Sequence, residues 1–515
     1  MNTCATIRGR SPHPRPPHGQ AHRRTWTAAL VSVLAITLAA CTDGEFRPDG
    51  TVPDGTAPGQ VETGQGGPLP DVQHRVMLWT GGTECANFTE AELDRWAANG
   101  VGGFVCRLQT LSGMTAANDL DRQYEWTGDP RADLSAEPYR LQRQLAASPL
   151  VKRLKSGEMK AYLTFYTLNR NNPRTVLAEW FDDAGWSDLV LPKVRDISGA
   201  ARLLGFAGVG FDEELYPGGG TWNWNYQGNN RPEAQVRAQV TRRGQQFMET
   251  ILAAFPEVEL FSYGAKFPET WDAIVQSEYR GPPFDNRVQS DWWKGISSVQ
   301  GYKAIRFTGE LFFKRPFPST DWDIALRNAQ NQLHAYLSRT WTNWTYASAR
   351  VFQAPAAWLD NTTGQPPSTP EAAATQLDRF RVWTSGGEIY IYSYGAVSDF
   401  DFRPYLAAIK AASQPPPPAA GPPRLSVSTP AAPASATTVA LEGTAASPLA
   451  IRSVVVRDEG GRRTAAPMVW DEPLTLSWSV AGFPVSAGAN TLTVTVEDIA
   501  GQTTEEVVVV TVGPG

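Results

Sequence analysis

Three consecutive acids, Asp212, Glu213 and Glu214, directly follow a short apolar run that predicts a buried strand, Phe206–Phe211. Side chains along a strand point alternately to opposite faces. Asp212 and Glu214 should therefore share one face, and we expect Glu213 to point outward and to be dispensable. At roughly 3.3 Å per residue, acids two positions apart lie about 6–7 Å from each other. This separation is close to that of the carboxyl pairs that act on a glycosidic bond.

The same alternation assigns the other residues of this strand to faces. Val209 and Phe211 are bulky and apolar, so they should face covering helices, whereas Gly208 and Gly210 share the face of Asp212. Carboxylates at the C-terminal end of a buried parallel strand are more often catalytic than structural. An acidic cluster that starts a helix, or a divalent-metal site, would also place acids here.

Short apolar strands alternate with amphipathic helices over residues 73–413, which predicts parallel βα units. The predicted strands are Arg75–Thr80, Gly103–Leu108, Lys160–Tyr166, Phe206–Phe211, Glu259–Tyr263, Ala304–Thr308, Ala349–Gln353 and Glu388–Ser393. Eight strands with intervening helices match a (β/α)8 TIM barrel in number and in length. An open doubly wound sheet is the alternative, but no glycine-rich phosphate turn follows the first strand.

In barrels of this type the functional groups lie at the C-terminal ends of the strands. Glu310 follows strand six and is a candidate second carboxylate, although an ion pair with Lys314 or Arg315 is the alternative. Flat aromatic faces pack on sugar rings, and polar groups bind sugar hydroxyls. The candidate substrate-binding residues are Trp79, Arg107, Tyr166, Trp222, Trp224, Tyr263, Lys266, Gln353, Trp358 and Tyr394.

Two further alternatives stay open for these candidates. Trp222 and Trp224 would also suit packing of the loop that carries them. Arg107 and Lys266 would equally serve as ion-pair partners that hold the acids in place.

The segment Gly210-Phe-Asp212-Glu-Glu214 resembles the strand-four signature of glycoside hydrolase barrels, including the chitinase-like DxDxE pattern. Gly210 stands where that pattern has its first Asp, so the match covers Asp212 and Glu214 only. The layout is also similar to that of alpha-galactosidase-like barrels, which would use Asp212 and Glu310. Our working assignment makes Glu214 the general acid/base and Asp212 the nucleophile or charge stabiliser.

Other common chemistries lack the residues that they need. His74 and His334 are the only histidines beyond residue 41, and neither suits a catalytic triad or a zinc cluster. No GxSxG nucleophile elbow and no phosphate-binding glycine loop occurs. We therefore expect neither a cofactor nor a metal.

The first 41 residues are predicted to be a signal peptide. Arg23-Arg24 precedes an apolar run, Ala28–Ala40, that is too short for a typical membrane-spanning helix. Leu38-Ala-Ala-Cys41 resembles a bacterial lipobox, which implies that Cys41 is lipidated and anchors the protein to the outer face of the cell membrane. An ordinary secretory signal is the alternative. Residues 42–72, rich in Gly, Pro and Thr, predict a disordered linker.

Charge and cysteine content agree with an exported protein. The formal net charge is -6, and residues 1–40 hold five arginines and no acid, so the remainder carries about -11, that is -6 less those five charges. A mature chain this acidic argues against nucleic acid or an anionic membrane surface as a partner. In an oxidising compartment Cys85 and Cys106 are expected to form a disulfide, with buried free thiols as the alternative.

The tail differs in kind from the barrel. Residues 414–423 predict a stiff Pro-rich linker, and the strand-like runs of 424–515 predict an antiparallel β-sandwich. Leu476-Ser-Trp-Ser-Val480 and the segment 488–501 resemble the bacterial immunoglobulin-like modules that are appended to secreted carbohydrate enzymes.

These observations favour an exported, monomeric glycoside hydrolase that acts on a polysaccharide or oligosaccharide. A surface lipoprotein that binds carbohydrate on a barrel scaffold without cleaving it is the rival hypothesis. Turnover separates the two.

Overall fold

The computed structural model of the chain describes most of residues 73–513 and none of residues 1–72. The predicted signal peptide, Cys41 and the linker at 42–72 therefore lie outside the described residues. Within the described part, no helix is both long and apolar enough to span a membrane. The described residues are 73–107, 126–136, 139–166, 179–213, 222–226, 228–268, 270, 287–308, 329, 332–359, 369–384, 386–392, 401–428, 436–466, 468–472 and 475–513.

Nine parallel strands form one sheet that closes on itself. They are β1 Arg75–Gly81, β2 Val101–Arg107, β3 Lys160–Tyr166, β4 Gly208–Asp212, β5 Glu259–Tyr263, β6 Ala304–Thr308, β7 Val351–Gln353, β8 Ala356–Trp358 and β9 Glu388–Tyr392. The strand order is β7-β6-β5-β4-β3-β2-β1-β9-β8, so β7 and β8 are the two edges. Because β7 and β8 are consecutive in the chain, they act as one interrupted strand that joins both edges. The sheet is therefore a (β/α)8 barrel, which confirms the predicted fold class.

The interruption of the seventh strand has a local cause. Pro355 has no backbone N–H and cannot donate to a strand ladder. Hydrogen bonds continue on both sides of it: Ala354 N donates to Phe307 O at 2.8 Å, and Tyr390 N donates to Pro355 O at 2.9 Å. This short segment thus holds β6 on one side and β9 on the other.

Helices surround the barrel in the expected alternation. They are α1 Gly82–Asn87, α2 Glu90–Ala98, α3 Arg140–Ala147, α4 Pro149–Ser156, α5 Asp183–Gly185, α6 Leu191–Leu203, α7 Glu233–Ala254, α8 Arg287–Ser298, α9 Trp344–Ala347, α10 Pro370–Trp383 and α11 Leu406–Ala412. Residues 332–340 are also helical, and residues 186–190 form a π-helical turn before α6. Thr89 caps α2 with a capping box, in which its hydroxyl and the Glu92 carboxylate exchange hydrogen bonds with the backbone.

Two glycines bring α7 and α8 unusually close together. A Cβ added to Gly244 of α7 would lie 2.2 Å from Trp292 O, and one added to Gly295 of α8 would lie 2.0 Å from Thr241 O. No other residue type fits at either position without moving a backbone. This contact fixes the position of α8 against the strands that it covers.

A buried ion-pair network fills the N-terminal end of the barrel interior. Lys160 Nζ lies 2.6 Å from Glu259 Oε2 and 2.5 Å from Glu388 Oε1. Arg306 pairs with the same two carboxylates, and Tyr162 OH donates to Glu259 Oε2 at 2.8 Å. Burial alone would raise the pKa of Glu259, but Arg306 and Lys160 outweigh it and hold this pKa well below its ordinary value. The acids at this end are therefore engaged in structure.

The tail folds as a two-sheet sandwich around its own apolar core. Its strands are β10 Arg424–Ser428, β11 Thr438–Ala446, β12 Ile451–Asp458, β13 Arg463–Ala465, β14 Met468–Glu472, β15 Thr475–Pro484, β16 Gly488–Asp498 and β17 Thr503–Val512. The sheets have the orders β10-β11-β15-β14 and β13-β12-β16-β17. This is the order of an immunoglobulin constant-type domain, with one more strand beside the third. Trp478 is buried in the core between the sheets.

The sandwich is docked on the N-terminal end of the barrel. Leu449, Ala450 and Ile499 of the sandwich belong to the same buried cluster as the apolar residues of the helical layer. His74, just before β1, lies with its Nε2 3.4 Å from Ile499 O, and Ala450 N donates to Val382 O at 3.4 Å. The C-terminal ends of the barrel strands are thus left at the opposite side.

Cys85 of α1 and Cys106 of β2 form a disulfide, with 6.1 Å between their Cα atoms. Both residues are fully buried. The bond ties the first helix to the second strand.

Candidate active site at the barrel mouth

Asp212 is the last residue of β4 and lies at the C-terminal ends of the barrel strands, which we call the barrel mouth. Its Cα is in register with Tyr166 of β3 and with Tyr263 of β5. A Cβ added to Gly210, two residues earlier, would lie 2.9 Å from Phe261 Cδ1 inside the barrel. This face of β4 is therefore the interior face, as the alternation of residues predicted.

The opposite face of β4 packs against helices. The Phe211 ring lies 5.2 Å from the Phe247 ring of α7 and 6.0 Å from the Trp293 ring of α8. Val209 is also fully buried in this helical layer. The predicted assignment of both residues to the covered face is confirmed.

The structure describes the backbone of Asp212 and Tyr166 but not their side chains, and Glu214, Glu310 and Tyr394 lie outside the described residues. The roles assigned to these residues stay predictions. The described backbone does fix the position of Asp212, which occupies the interior register at the mouth.

Three predicted aromatic residues, Trp79, Tyr263 and Trp358, meet Tyr392 at the mouth. The Trp79 ring lies 4.7 Å from the Tyr263 ring and 5.2 Å from the Tyr392 ring, and Trp358 lies 4.8 Å from Tyr392. Trp79 and Tyr263 are only 3% and 2% exposed, so their faces are not open to a sugar as the sequence suggested. They pack against each other because β1, β5 and β9 bring them to one level of the interior. Trp358 is partly exposed and is the member of this cluster that faces solvent.

Three predicted polar residues also reach the mouth. Arg107 ends β2 and is half-buried, Gln353 ends β7 and is buried, and Lys266 follows β5 and is 1% exposed. Both functions considered for the two cations, contact with the acids and contact with a substrate, are compatible with these positions.

Trp222 takes the packing role rather than an open sugar-binding one. It is 3% exposed, and its ring lies 6.0 Å from Trp180 and 6.2 Å from Trp292 in the helical layer. Trp224 is partly exposed, packs against the same cluster and accepts a hydrogen bond at its carbonyl from Asn229 Nδ2 at 2.7 Å. Trp222 is thereby packed against α8, and of the two indoles only Trp224 keeps an exposed part.

Glu213 has buried partners that the sequence analysis did not assign to it. It points outward from the barrel, as expected, and it is fully buried. Its Oε2 accepts hydrogen bonds from Ser262 Oγ and from Trp293 Nε1, each at 2.8 Å. An outward-facing acid on a strand that helices cover must find donors. This rule could have predicted from the sequence that Glu213 has hydrogen-bond donors beside it.

No cluster of three or more His, Cys, Asp or Glu residues in the described ranges is arranged to hold a metal ion. The two histidines are 260 positions apart in the chain and lie on the N-terminal side, at the start of β1 and beside β7. The described side chains at the mouth are the cations Arg107 and Lys266, Gln353 and the aromatic cluster.

Comparison with known proteins gives only distant similarities. No protein-family model matches the sequence, and no curated protein is detectably similar to it. An endo-beta-1,4-mannanase from Thermotoga petrophila aligns over 86% of this chain and 99% of its own, at 9% identity and a TM-score of 0.38. A glycoside hydrolase family 5 enzyme from Prevotella bryantii B14 aligns over 66% and 96%, at 11% identity and a TM-score of 0.39. Because these overlaps are loose, the chemistry has to be argued from the residues of this chain.

Proposed function

We propose that this protein is a glycoside hydrolase whose active site is the barrel mouth. One observation carries the proposal: Asp212 ends a strand of a closed parallel barrel, on the interior register, directly before Glu213 and Glu214. Catalytic groups of (β/α)8 enzymes occupy this end of the strands. Two carboxyls on one side of a strand have the spacing that glycoside cleavage uses.

Two described acids of the barrel interior are already engaged in ion pairs. Glu259 and Glu388 lie at the opposite end of the barrel, where Lys160 and Arg306 neutralise both of them. A carboxylate held in such a network is ionised and shielded, so it suits neither proton donation nor attack. Of these three acids, Asp212 is the one that ends its strand at the mouth, which supports its assignment.

The mechanism assigns separate tasks to the two acids. Glu214 protonates the leaving glycosidic oxygen and later acts as a base, while Asp212 attacks the anomeric carbon or stabilises its charge. Glu310 from β6 is the alternative second carboxylate. Like charges close together raise the pKa of one acid while the other stays ionised, which is the asymmetry that the reaction needs.

The substrate class follows from the mouth and from the predicted export. Trp358 and Trp224 offer partly exposed indole surface for sugar rings. Export with lipidation at Cys41 would present the enzyme to polysaccharides outside the cell. The chain enters the barrel at its N-terminal end, so a tether upstream of Arg75 would join the barrel opposite the mouth.

A panel of polysaccharides and oligosaccharides tests the proposal. We expect release of new reducing ends from at least one glycan, with activity that survives a chelator. A protein that binds one glycan and cleaves none would instead support the carbohydrate-binding hypothesis. Activity that is lost with the chelator and restored by a divalent cation would favour a metal-dependent hydrolase.

A further inference from the structure

Glu213 lies between the two acids that we propose as catalytic, and it holds the end of β4 in place. Its backbone N donates to Tyr263 O of β5 at 2.8 Å. Its carboxylate accepts from Ser262 Oγ of β5 and from Trp293 Nε1 of α8. One residue therefore joins β4 to the neighbouring strand and to the helix that covers both.

A second buried residue completes this junction. Gln289 of α8 donates from Nε2 to Glu213 O at 3.1 Å and to Gly264 O at 3.4 Å. Its Oε1 accepts from the backbone N of Lys266 at 3.1 Å. Gln289 is fully buried, so its amide replaces water for three backbone groups that leave the ends of β4 and β5. We call Glu213, Ser262, Gln289 and Trp293 the β4 clamp.

The helix that supplies half of the clamp is itself fixed. At Gly295 the backbones of α7 and α8 pack so closely that an added Cβ would lie 2.0 Å from Thr241 O. Arg237 of α7 adds an ion pair with Asp291, with 2.5 Å between Nε and Oδ2. The clamp donors are therefore presented from a rigid surface, which is what precise positioning of a reacting group needs.

Resting on the proposed function, we propose that Glu213 is a positioning residue that fixes Asp212 and Glu214 at the mouth. Hydrogen bonds hold the backbone N, the backbone O and the carboxylate of Glu213. Its two neighbours in the chain therefore cannot move independently of it. A displacement of about 1 Å at a reacting group costs roughly 100-fold in rate. The clamp thus acts on the rate of the chemical step rather than on sugar affinity.

Kinetics of clamp variants test this role. Glu213→Ala removes the acceptor of two buried donors, and we expect kcat to fall about 10- to 100-fold while KM changes by less than about threefold. Glu213→Gln keeps an oxygen that can accept from Ser262 and Trp293, so it should restore most of kcat. Trp293→Phe keeps the ring but removes its N–H, and should lower kcat by an intermediate factor if Glu213→Ala does not fold.

A matched control separates positioning from stability. Tyr162→Phe removes a buried hydroxyl from the ion-pair network at the other end of the barrel, so it should lower the melting temperature and leave kcat unchanged. If Glu213→Ala and Trp293→Phe both fold and keep the wild-type kcat, the positioning role is wrong. The same conclusion holds if Tyr162→Phe lowers kcat as much as they do at an equal loss of melting temperature.

Hydrogen exchange gives a readout that needs no substrate. Amides of residues 208–213 should exchange faster in Glu213→Ala than in the wild-type protein, whereas Tyr162→Phe should leave them protected. If the wild-type protein cleaves no glycan, the proposed function is wrong but the proposed role of the clamp is not affected. If exchange is unchanged in Glu213→Ala, the proposed role of the clamp is wrong whether or not the protein is an enzyme.

Discussion

Acidification from about pH 7 to about pH 5 should destabilise this protein through two histidines. Beyond residue 41 the chain contains only His74 and His334, so few other groups titrate in this interval. Burial lowers the pKa of His334 from 6.5 to about 4, against the opposing effect of hydrogen bonds to the carbonyls of Val351 and Met468. Burial also lowers the pKa of His74 to about 4, and Arg452 and Arg381 add to this effect.

The sign and the size of this destabilisation follow from the lowered pKa values of the two histidines. Because the folded state resists protonation of these rings, the unfolded state binds more protons between pH 6.5 and about 4. The contribution of each neutral ring to stability is complete above the unfolded pKa of 6.5, and it is lost as the pH falls from there towards about 4. At pH 5 the cost is about 2 kcal/mol for fully buried His334. His74 is partly exposed, so solvent screening makes its contribution smaller.

Calorimetry at several pH values measures this effect. A loss of about 3 kcal/mol corresponds to a fall in melting temperature of roughly 3 °C, because unfolding a chain of this size has an entropy of about 0.9 kcal/mol/K. The double variant His74→Gln and His334→Gln has no titrating ring at either site, so its melting temperature should stay nearly constant from about pH 7 to about pH 5. A wild-type melting temperature that does not fall, or a double variant that falls as steeply as the wild type, would show that the two histidines do not cause this pH dependence.

Three further predictions concern packing, charge and sugar contact. Gly295→Ala should lower the melting temperature by several degrees, because the new Cβ would meet Thr241 O at 2.0 Å. Glu388→Gln removes one of the two anions that neutralise Lys160 and Arg306, and should lower the free energy of unfolding in urea by about 3–5 kcal/mol. Trp358→Ala removes the partly exposed ring of the mouth and should raise KM about tenfold with little change in kcat; an unchanged KM would exclude this ring from the sugar site.

The barrel could be predicted because its signals are local. Strands such as Lys160–Tyr166 and Glu259–Tyr263 have the predicted bounds, since apolar runs between turn residues leave little choice of start or end. The order of residues within β4 also predicted which face packs on helices, because the period of a strand is fixed at two residues. The seventh strand was predicted as Ala349–Gln353 only, because the continuation of its ladder beyond Pro355, at Ala356–Trp358, depends on pairing with β9.

The details of the site depend on partners that are distant in sequence. Trp79 and Tyr263 were assigned to the correct end of the barrel, yet their burial depends on which rings from other strands share their level. Glu213 was assigned to the correct face, yet its donors come from β5 and from α8. Alternation along one strand predicts the face to which a side chain points. How deeply that side chain is buried, and which groups it bonds to, depends on residues from the other strands and helices of the barrel.

The central claim is that the acids of β4 cleave a glycosidic bond at the barrel mouth. Once a glycan is found that the wild-type protein cleaves, the decisive measurement is the kcat of Asp212→Asn beside that of Asp498→Asn, a buried aspartate at the end of β16 in the sandwich. We predict that Asp212→Asn loses about 10³-fold or more in kcat and still binds the glycan, while Asp498→Asn keeps most of its activity. Full turnover by a folded Asp212→Asn variant would contradict the account.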